Sequence, residues 1–118
     1  MRLLLTGGAG YIGSHTLLCL IAHKHTVCVF DNFCNAHIEA VHRVARLTGQ
    51  HDIQIITGDI RSSTDLDAAF AQFQPDAVIH FAGLKAVGES VVHPLRYYET
   101  NVTGTANVLR AMTKADKL

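Results

Sequence analysis

Tryptophan is absent from this 118-residue chain, proline occurs only twice, and the longest purely apolar run is the six residues from Leu17 to Ala22. Crossing a bilayer takes about 20 apolar residues, so no membrane span is expected. The few leucines before Gly7 and Gly8 are too short a stretch for a secretory apolar region. An excess of either charge is also missing, because ten Lys and Arg offset ten Asp and Glu. That balance offers no basic face, so neither nucleic acid nor an anionic membrane is an expected partner. Cys19, Cys28 and Cys34 form no C-x-x-C pair and are odd in number, which suits reduced thiols in the cytoplasm. Repeats, low-complexity tracts and Pro- or Ser-rich linkers are lacking. The 48% apolar content is too high for a disordered chain, and the length suits one domain.

What is present is an alternation of short β-type runs with helix-period runs. Leu3 to Thr6 reads as a strand that breaks at Gly7, and Tyr11 to His23 as a helix. Thr26 to Phe30 is a β-branched second strand ending at Asp31-Asn32. Ile38, Val41 and Ala45, closed by Gly49, predict the next helix, and Ile53 to Thr57 a third strand. Leu66, Ala69, Phe70 and Phe73 sit at the i, i+3, i+4, i+7 positions of an amphipathic helix that Pro75 ends. Ala77 to Phe81 is the fourth strand. From Pro94 onward, Leu95, Tyr98, Val102, Ala106 and Leu109 imply one long helix whose stripe faces the core, with Val108 and Ala111 left for a subunit contact. Gly104 is a weak spot in that helix, costing about 1 kcal/mol relative to Ala. Near-continuous apolar strands between helices predict an α/β fold with a parallel sheet covered on both faces.

Between the first strand and first helix lies Gly7-Gly8-Ala9-Gly10-Tyr11-Ile12-Gly13. It satisfies G-x-G-x-x-G through Gly8, Gly10 and Gly13, and G-x-x-G-x-x-G through Gly7, Gly10 and Gly13. Glycines let backbone N–H groups approach a pyrophosphate closely, and the helix N-terminus adds its positive dipole end. A glycine triplet alone is equally a tight turn. The strand before it, the helix after it and an acidic residue at the end of the second strand raise it to a dinucleotide site. That residue is Asp31, 18 positions past Gly13, where a carboxylate accepts from the adenosine ribose hydroxyls and repels a 2′-phosphate, favouring NAD over NADP. The expected architecture is thus a Rossmann-like doubly wound parallel sheet of about four strands with flanking helices. Asp59 and Ile60, after the third strand, are placed to bond the adenine amino group and cover the ring, and Gly83, past the fourth strand, to let backbone lie along the second ribose.

The stretches Thr6–His15, Gly58–Arg61, His80–Ser90, Tyr97-Tyr98 and Asn101-Val102-x-Gly104-Thr105 resemble the UDP-glucose 4-epimerases of the extended short-chain dehydrogenase/reductase family. The resemblance covers the whole chain but only the N-terminal part of the family enzymes. It implies that residues 1–118 are an NAD-binding domain without the substrate domain. It implies cofactor contacts from Tyr11 and Ile12 at the pyrophosphate and from Asp31, Asn32, Phe33, Cys34, Asn35 and Ala36 around the adenosine. Asp59 and Ile60 would meet the adenine. Phe81, Ala82, Gly83, Leu84 and Lys85 would line the nicotinamide side, with Thr100 a further contact. Lys85, Ala86 and Val87 would adjoin the UDP-sugar. Ala36 stands where the family commonly has serine, and Thr100 where it commonly has asparagine.

Family enzymes interconvert UDP-glucose and UDP-galactose through a transient 4-keto sugar, using a Tyr-x-x-x-Lys pair for the proton. No such pair occurs here: Tyr11 is followed four residues on by His15, Tyr97 by Asn101 and Tyr98 by Val102. The chain is therefore expected to carry the cofactor half and no catalytic residue, and to pair as a homodimer as the family commonly does. Other nucleotide-sugar epimerases or dehydratases of the extended family, and a non-catalytic NAD-binding module, are the rival readings. Eight histidines show no metal-ligand spacing and are expected on surfaces and loops.

Overall fold

A computed structural model describes residues 1–117. Its elements are β1 (Arg2–Thr6), α1 (Tyr11–Ala22), β2 (Thr26–Asp31), α2 (Glu39–Thr48), β3 (Gln54–Thr57), α3 (Ser63–Phe73), β4 (Ala77–His80), α4 (Val87–Val92), α5 (Pro94–Tyr98), a π-helical turn (Glu99–Thr103) and α6 (Gly104–Lys114). The four strands pair in parallel in the order β3-β2-β1-β4. Strand order reverses beside β1, so the carboxyl ends of β1 and β4 open a crevice there, the place where ligands bind in such sheets.

Successive side chains of a strand point to opposite faces, and the two cores follow from that. Leu4, Cys28 and Phe30 face one layer with Leu66, Phe70, Phe73, Val108 and Ala111. Leu5, Val27 and Val29 face the other with Leu17, Ile21, Val41 and Val44. β1 and β2 are buried on both sides, while β3 and β4 are half-buried edges. Burial pushes the Cys28 thiol up to about 12, which leaves it a packing group.

Local chemistry explains the boundaries. Ser62 caps α3 by accepting from the Asp65 amide at 3.2 Å. Gly49 ends α2 at a φ of 70°, a left-handed conformation that glycine adopts without a Cβ clash. The third helix and all four strands lie where the periodicity places them.

The C-terminal region differs from expectation. The expected long helix does run without a break from Pro94 to Lys114, with helical backbone at both junctions, but it is widened into the π-turn between α5 and α6, and α4, a helix of six residues with none buried, precedes it. The helix phase is also reversed. Leu95, Tyr98, Val102 and Leu109 are exposed, whereas Val108 and Ala111, expected at a subunit contact, lie in the core. Both stripes have helical spacing, and Gly104 decides between them. A Cβ at Gly104 would lie 2.6 Å from Ile60 Cδ1, so this glycine lets the helix close onto Ile60 and turns its neighbours Asn107, Val108 and Ala111 inward. The residue that reads as a weakness is a packing requirement.

Candidate functional site

A cleft of about 540 Å³ opens at the carboxyl ends of the strands. Gly7, Gly10, Tyr11, Ile12, Gly13, Asp31, Asn32, Cys34, Asn35, Ala36, Asp59, Ile60, Phe81, Ala82, Gly83, Leu84, Lys85, Ala86 and Thr100 line it together. Phe33 and Val87 are not among the lining residues. Phe33 turns at a φ of 56° and packs its ring beside the α1–α2 core, while Val87 is 78% exposed at the start of α4. Phe30, Gly58, Glu89 and Tyr97 line the cleft although the residue pattern did not single them out as site residues.

The glycine loop forms one wall. Gly7 sits at a φ of 68°, and a Cβ there would come within 2.5 Å of the Ala82 amide nitrogen. A Cβ on Gly13 would lie 2.3 Å from the Gly7 carbonyl oxygen. The loop therefore packs backbone to backbone, against both β4's exit and its own helix. No side chain caps α1 and its first turn holds no acidic residue. The leading amides of α1 thus face the cleft with the dipole's positive end and without an internal anion.

Asp31 ties this wall to β2. Its Oδ2 accepts from the Ala9 amide at 3.0 Å and its Oδ1 from the Phe33 amide at 2.9 Å. A carboxylate offers about four acceptor positions, so two are left for hydroxyls of a bound sugar. Asp59 is different. Its Oδ1 accepts from the Arg61 backbone amide and Nε, and its Oδ2 from the Arg61 guanidinium and the Asn32 amide group. The Arg61 guanidinium holds the Asp59 carboxyl well below the usual carboxylate range. With all four positions filled, Asp59 accepts from a base amino group only by giving up one of these partners. Ile60 is buried and leans on Gly104, so its side chain serves the core as well as the cleft.

The opposite wall is held from a distance. Asn101 Oδ1 accepts from the Leu84 amide at 2.8 Å and its Nδ2 donates to the Leu84 carbonyl at 2.9 Å. The Tyr97 hydroxyl accepts from the Ala86 amide at 3.0 Å, with its own proton directed to the Ala86 carbonyl or Glu89. Burial raises the Tyr97 pKa, with the Glu89 hydrogen bond adding to it, so the phenol stays protonated and serves as a clamp. Asn107, buried in α6, donates to the Ile60 and Arg61 carbonyls at 3.0 and 3.1 Å. The α5–α6 segment thereby grips both ends of the cleft. Spacing alone gives no signal for these pairings, which join residues 8 to 47 positions apart.

Among the described residues no group of three or more His, Cys, Asp or Glu side chains gathers as metal ligands, and no helix is long and apolar enough to cross a membrane. The family profile described as GDP-mannose 4,6 dehydratase matches residues 4–118. The chain belongs to the GDP-mannose 4,6 dehydratase family. Within that setting its sequence is similar to UDP-glucose 4-epimerases. UDP-glucose 4-epimerase 3 of Oryza sativa subsp. japonica is 54% identical over 94% of this chain and 31% of its own length. The Schizosaccharomyces pombe UDP-glucose 4-epimerase uge1 is 51% identical with the same coverage of 94% and 31%. In structure, the Bifidobacterium longum UDP-glucose 4-epimerase, solved in complex with NAD+ and UDP, superposes with a TM-score of 0.94 at 40% identity. That match covers 98% of this chain and 34% of that one. The Stenotrophomonas maltophila enzyme, solved with bound NAD and formylated UDP-arabinopyranose, gives 0.93 at 41% identity. The chain spans about a third of the length of the curated relatives it matches.

Proposed function

We propose that residues 1–118 are the NAD-binding domain of a UDP-glucose 4-epimerase, which interconverts UDP-glucose and UDP-galactose through a transient 4-keto sugar. One observation carries the reading: uncapped α1 amides and the Asp31 carboxylate line a single cleft at the switch point of the sheet. A dinucleotide fits that wall on its own terms. A β-carbon at Gly7 or Gly13 would fill the space where backbone closes on backbone, and the free amides match a diphosphate in charge and geometry. The α1 amides would bind the diphosphate, Asp31 the adenosine ribose, and the Gly83–Lys85 backbone the nicotinamide ribose. When bound, NAD supplies a hydride acceptor to such a site.

Without a Tyr-x-x-x-Lys pair the chain binds and orients but moves no proton at the sugar hydroxyl, so alone it turns over no UDP-galactose. A nucleotide-sugar dehydratase of the same family is the second reading, favoured by the family profile that matches. A homodimer through the exposed Leu95, Tyr98, Val102 and Leu109 face, in a cytoplasmic enzyme of galactose metabolism, completes the proposal. Calorimetry with NAD on the folded chain tests it, with Gly10→Val as control. A Cβ on Gly10 meets the Gly7 carbonyl oxygen at 3.2 Å, a tight contact, so that variant crowds the ligand's wall and its folding is checked by circular dichroism. Heat from the wild type and none from the variant is expected. A folded wild type that gives no heat overturns the reading.

A further inference from the structure

Beneath the second wall of the cleft runs a chain of hydrogen bonds that no ligand contact explains. The Thr105 hydroxyl donates to the Asn101 carbonyl at 2.7 Å, which uses its only proton. Its oxygen then accepts from His80 Nε2 at 3.0 Å, so Nε2 carries the ring proton. His80 Nδ1 is left as an acceptor, and the Thr6 hydroxyl, fully buried in β1, donates to it at 2.6 Å. The imidazole is thus fixed in one neutral tautomer between the central strand of the sheet and the start of α6. Burial depresses the His80 pKa, which agrees with a ring that holds no charge.

The position of this bridge matters because of what lies at its far end. Asn101 sits in the π-turn Glu99–Thr103, a widened turn of the kind that recurs at functional sites. The backbone of Asn101 is held by Thr105, while its side chain brackets the Leu84 amide and carbonyl. Gly83, beside it, has Asn101 Oδ1 as the nearest atom to a built Cβ, at 3.2 Å. Sheet, histidine, threonine, π-turn, asparagine and cleft loop therefore form one continuous train.

We propose that His80 is a positioning residue: through Thr105 it holds the π-turn so that Asn101 presents the Gly83–Lys85 backbone to the nicotinamide-ribose half of the bound dinucleotide. The inference rests on the dinucleotide reading above and adds which residue sets one half of that site. His80 does not line the cleft, and it acts through its two nitrogens, of which Nε2 leads by way of Thr105 to the π-turn.

The test compares NAD with ADP, which lacks both nicotinamide and its ribose and so reaches only the first wall. In the 118-residue chain, His80→Ala should weaken NAD by about tenfold, as expected for one hydrogen bond lost, and ADP by less than about twofold. His80→Gln places an amide nitrogen near the Nε2 position and should restore NAD affinity. His80→Asn, whose polar atoms reach only the Nδ1 position and Thr6, should not. Thr105→Val should reproduce the His80→Ala pattern from the other side of the bond, and Thr105→Ser should rescue it. Retained ADP binding shows that each variant is folded. Parallel weakening of both ligands, or equal behaviour of the Gln and Asn variants, overturns the inference while leaving the dinucleotide reading intact. A folded wild type that binds neither ligand removes both.

Discussion

The two walls of the cleft are built by different means. At the Asp31 end the holding contacts are short-range in topology: a glycine turn, a helix start and a carboxylate at the tip of the adjacent strand. Gly7 to Asp31 spans one strand–helix–strand unit, and parallel pairing of β1 with β2 brings these parts together once the unit folds. At the Leu84 end, the loop after β4 has no internal support. Its backbone is bracketed by Asn101 and Tyr97 from the following helices, and those are anchored to the sheet through His80 and Thr105. One wall is pre-shaped by the unit that makes it. The other is shaped by docking, and is the wall expected to yield first when the protein is perturbed.

Substitutions break this contrast in a graded way. The largest effect is expected at Gly13, where Gly13→Val drives side-chain atoms into the Gly7 carbonyl. A loss of about 3 kcal/mol in urea denaturation is expected, together with loss of NAD binding by calorimetry. Asp31→Ala comes next, because it strips the acceptor from the Ala9 and Phe33 amides as well as from the ribose that Asp31 is proposed to bind. NAD and ADP should weaken together, by about ten- to a hundredfold, since both ligands share that wall. Asn101→Ala should separate the ligands instead, with NAD weakened by about tenfold and ADP nearly unchanged. If Asn101→Ala and Asp31→Ala gave the same ligand profile, the distinction between the walls would fail.

Acidification sharpens the comparison further. The folded pKa of His80 lies below its ordinary value because burial disfavours the charged ring. The unfolded chain therefore binds that proton more readily, and the associated stability is complete above a pH of about 6.5 and declines as pH falls toward the folded value. The denaturation midpoint should drop between pH 7 and 5, and His80→Gln should flatten that drop. Asp59 acts on the other wall and at lower pH. Its carboxyl is depressed by Arg61, so its contribution is present above the ordinary carboxylate range and lost as pH falls through the folded value. Arg61 is partly exposed, so Arg61→Ala should cost less than about 1 kcal/mol at neutral pH, the smallest change in the set.

The legible parts of the molecule share a property. Strands β1 to β4, helices α1 to α3 and the glycine loop each announce themselves through residues adjacent in the chain: apolar runs, the Leu66–Phe73 stripe, and glycines where backbone must close on backbone. Asp31 was readable for the same reason, because it ends a strand whose neighbour is dictated by the intervening helix. The region after Gly83 was harder to read. Two apolar stripes of helical spacing compete from Leu95 to Ala111, and only the approach of Gly104 to Ile60 turns Val108 and Ala111 inward. The π-turn inserts between α5 and α6 without a local sequence cue, and the six residues of α4 bury no apolar face that could signal it.

Composition, periodicity and the glycine spacing by themselves determined a parallel α/β sheet with a dinucleotide-shaped turn and an acidic residue beside it. These are properties of single units, encoded where backbone conformation and side-chain burial repeat over a few residues. Tertiary structure alone decided which face of the last helix is core, that Asp59 is spent on Arg61, and that the second wall hangs from Asn101 and Tyr97. Each of these choices depends on which distant surfaces meet, and a hydrogen bond between residues far apart in the chain leaves no periodic trace in the residues that make it.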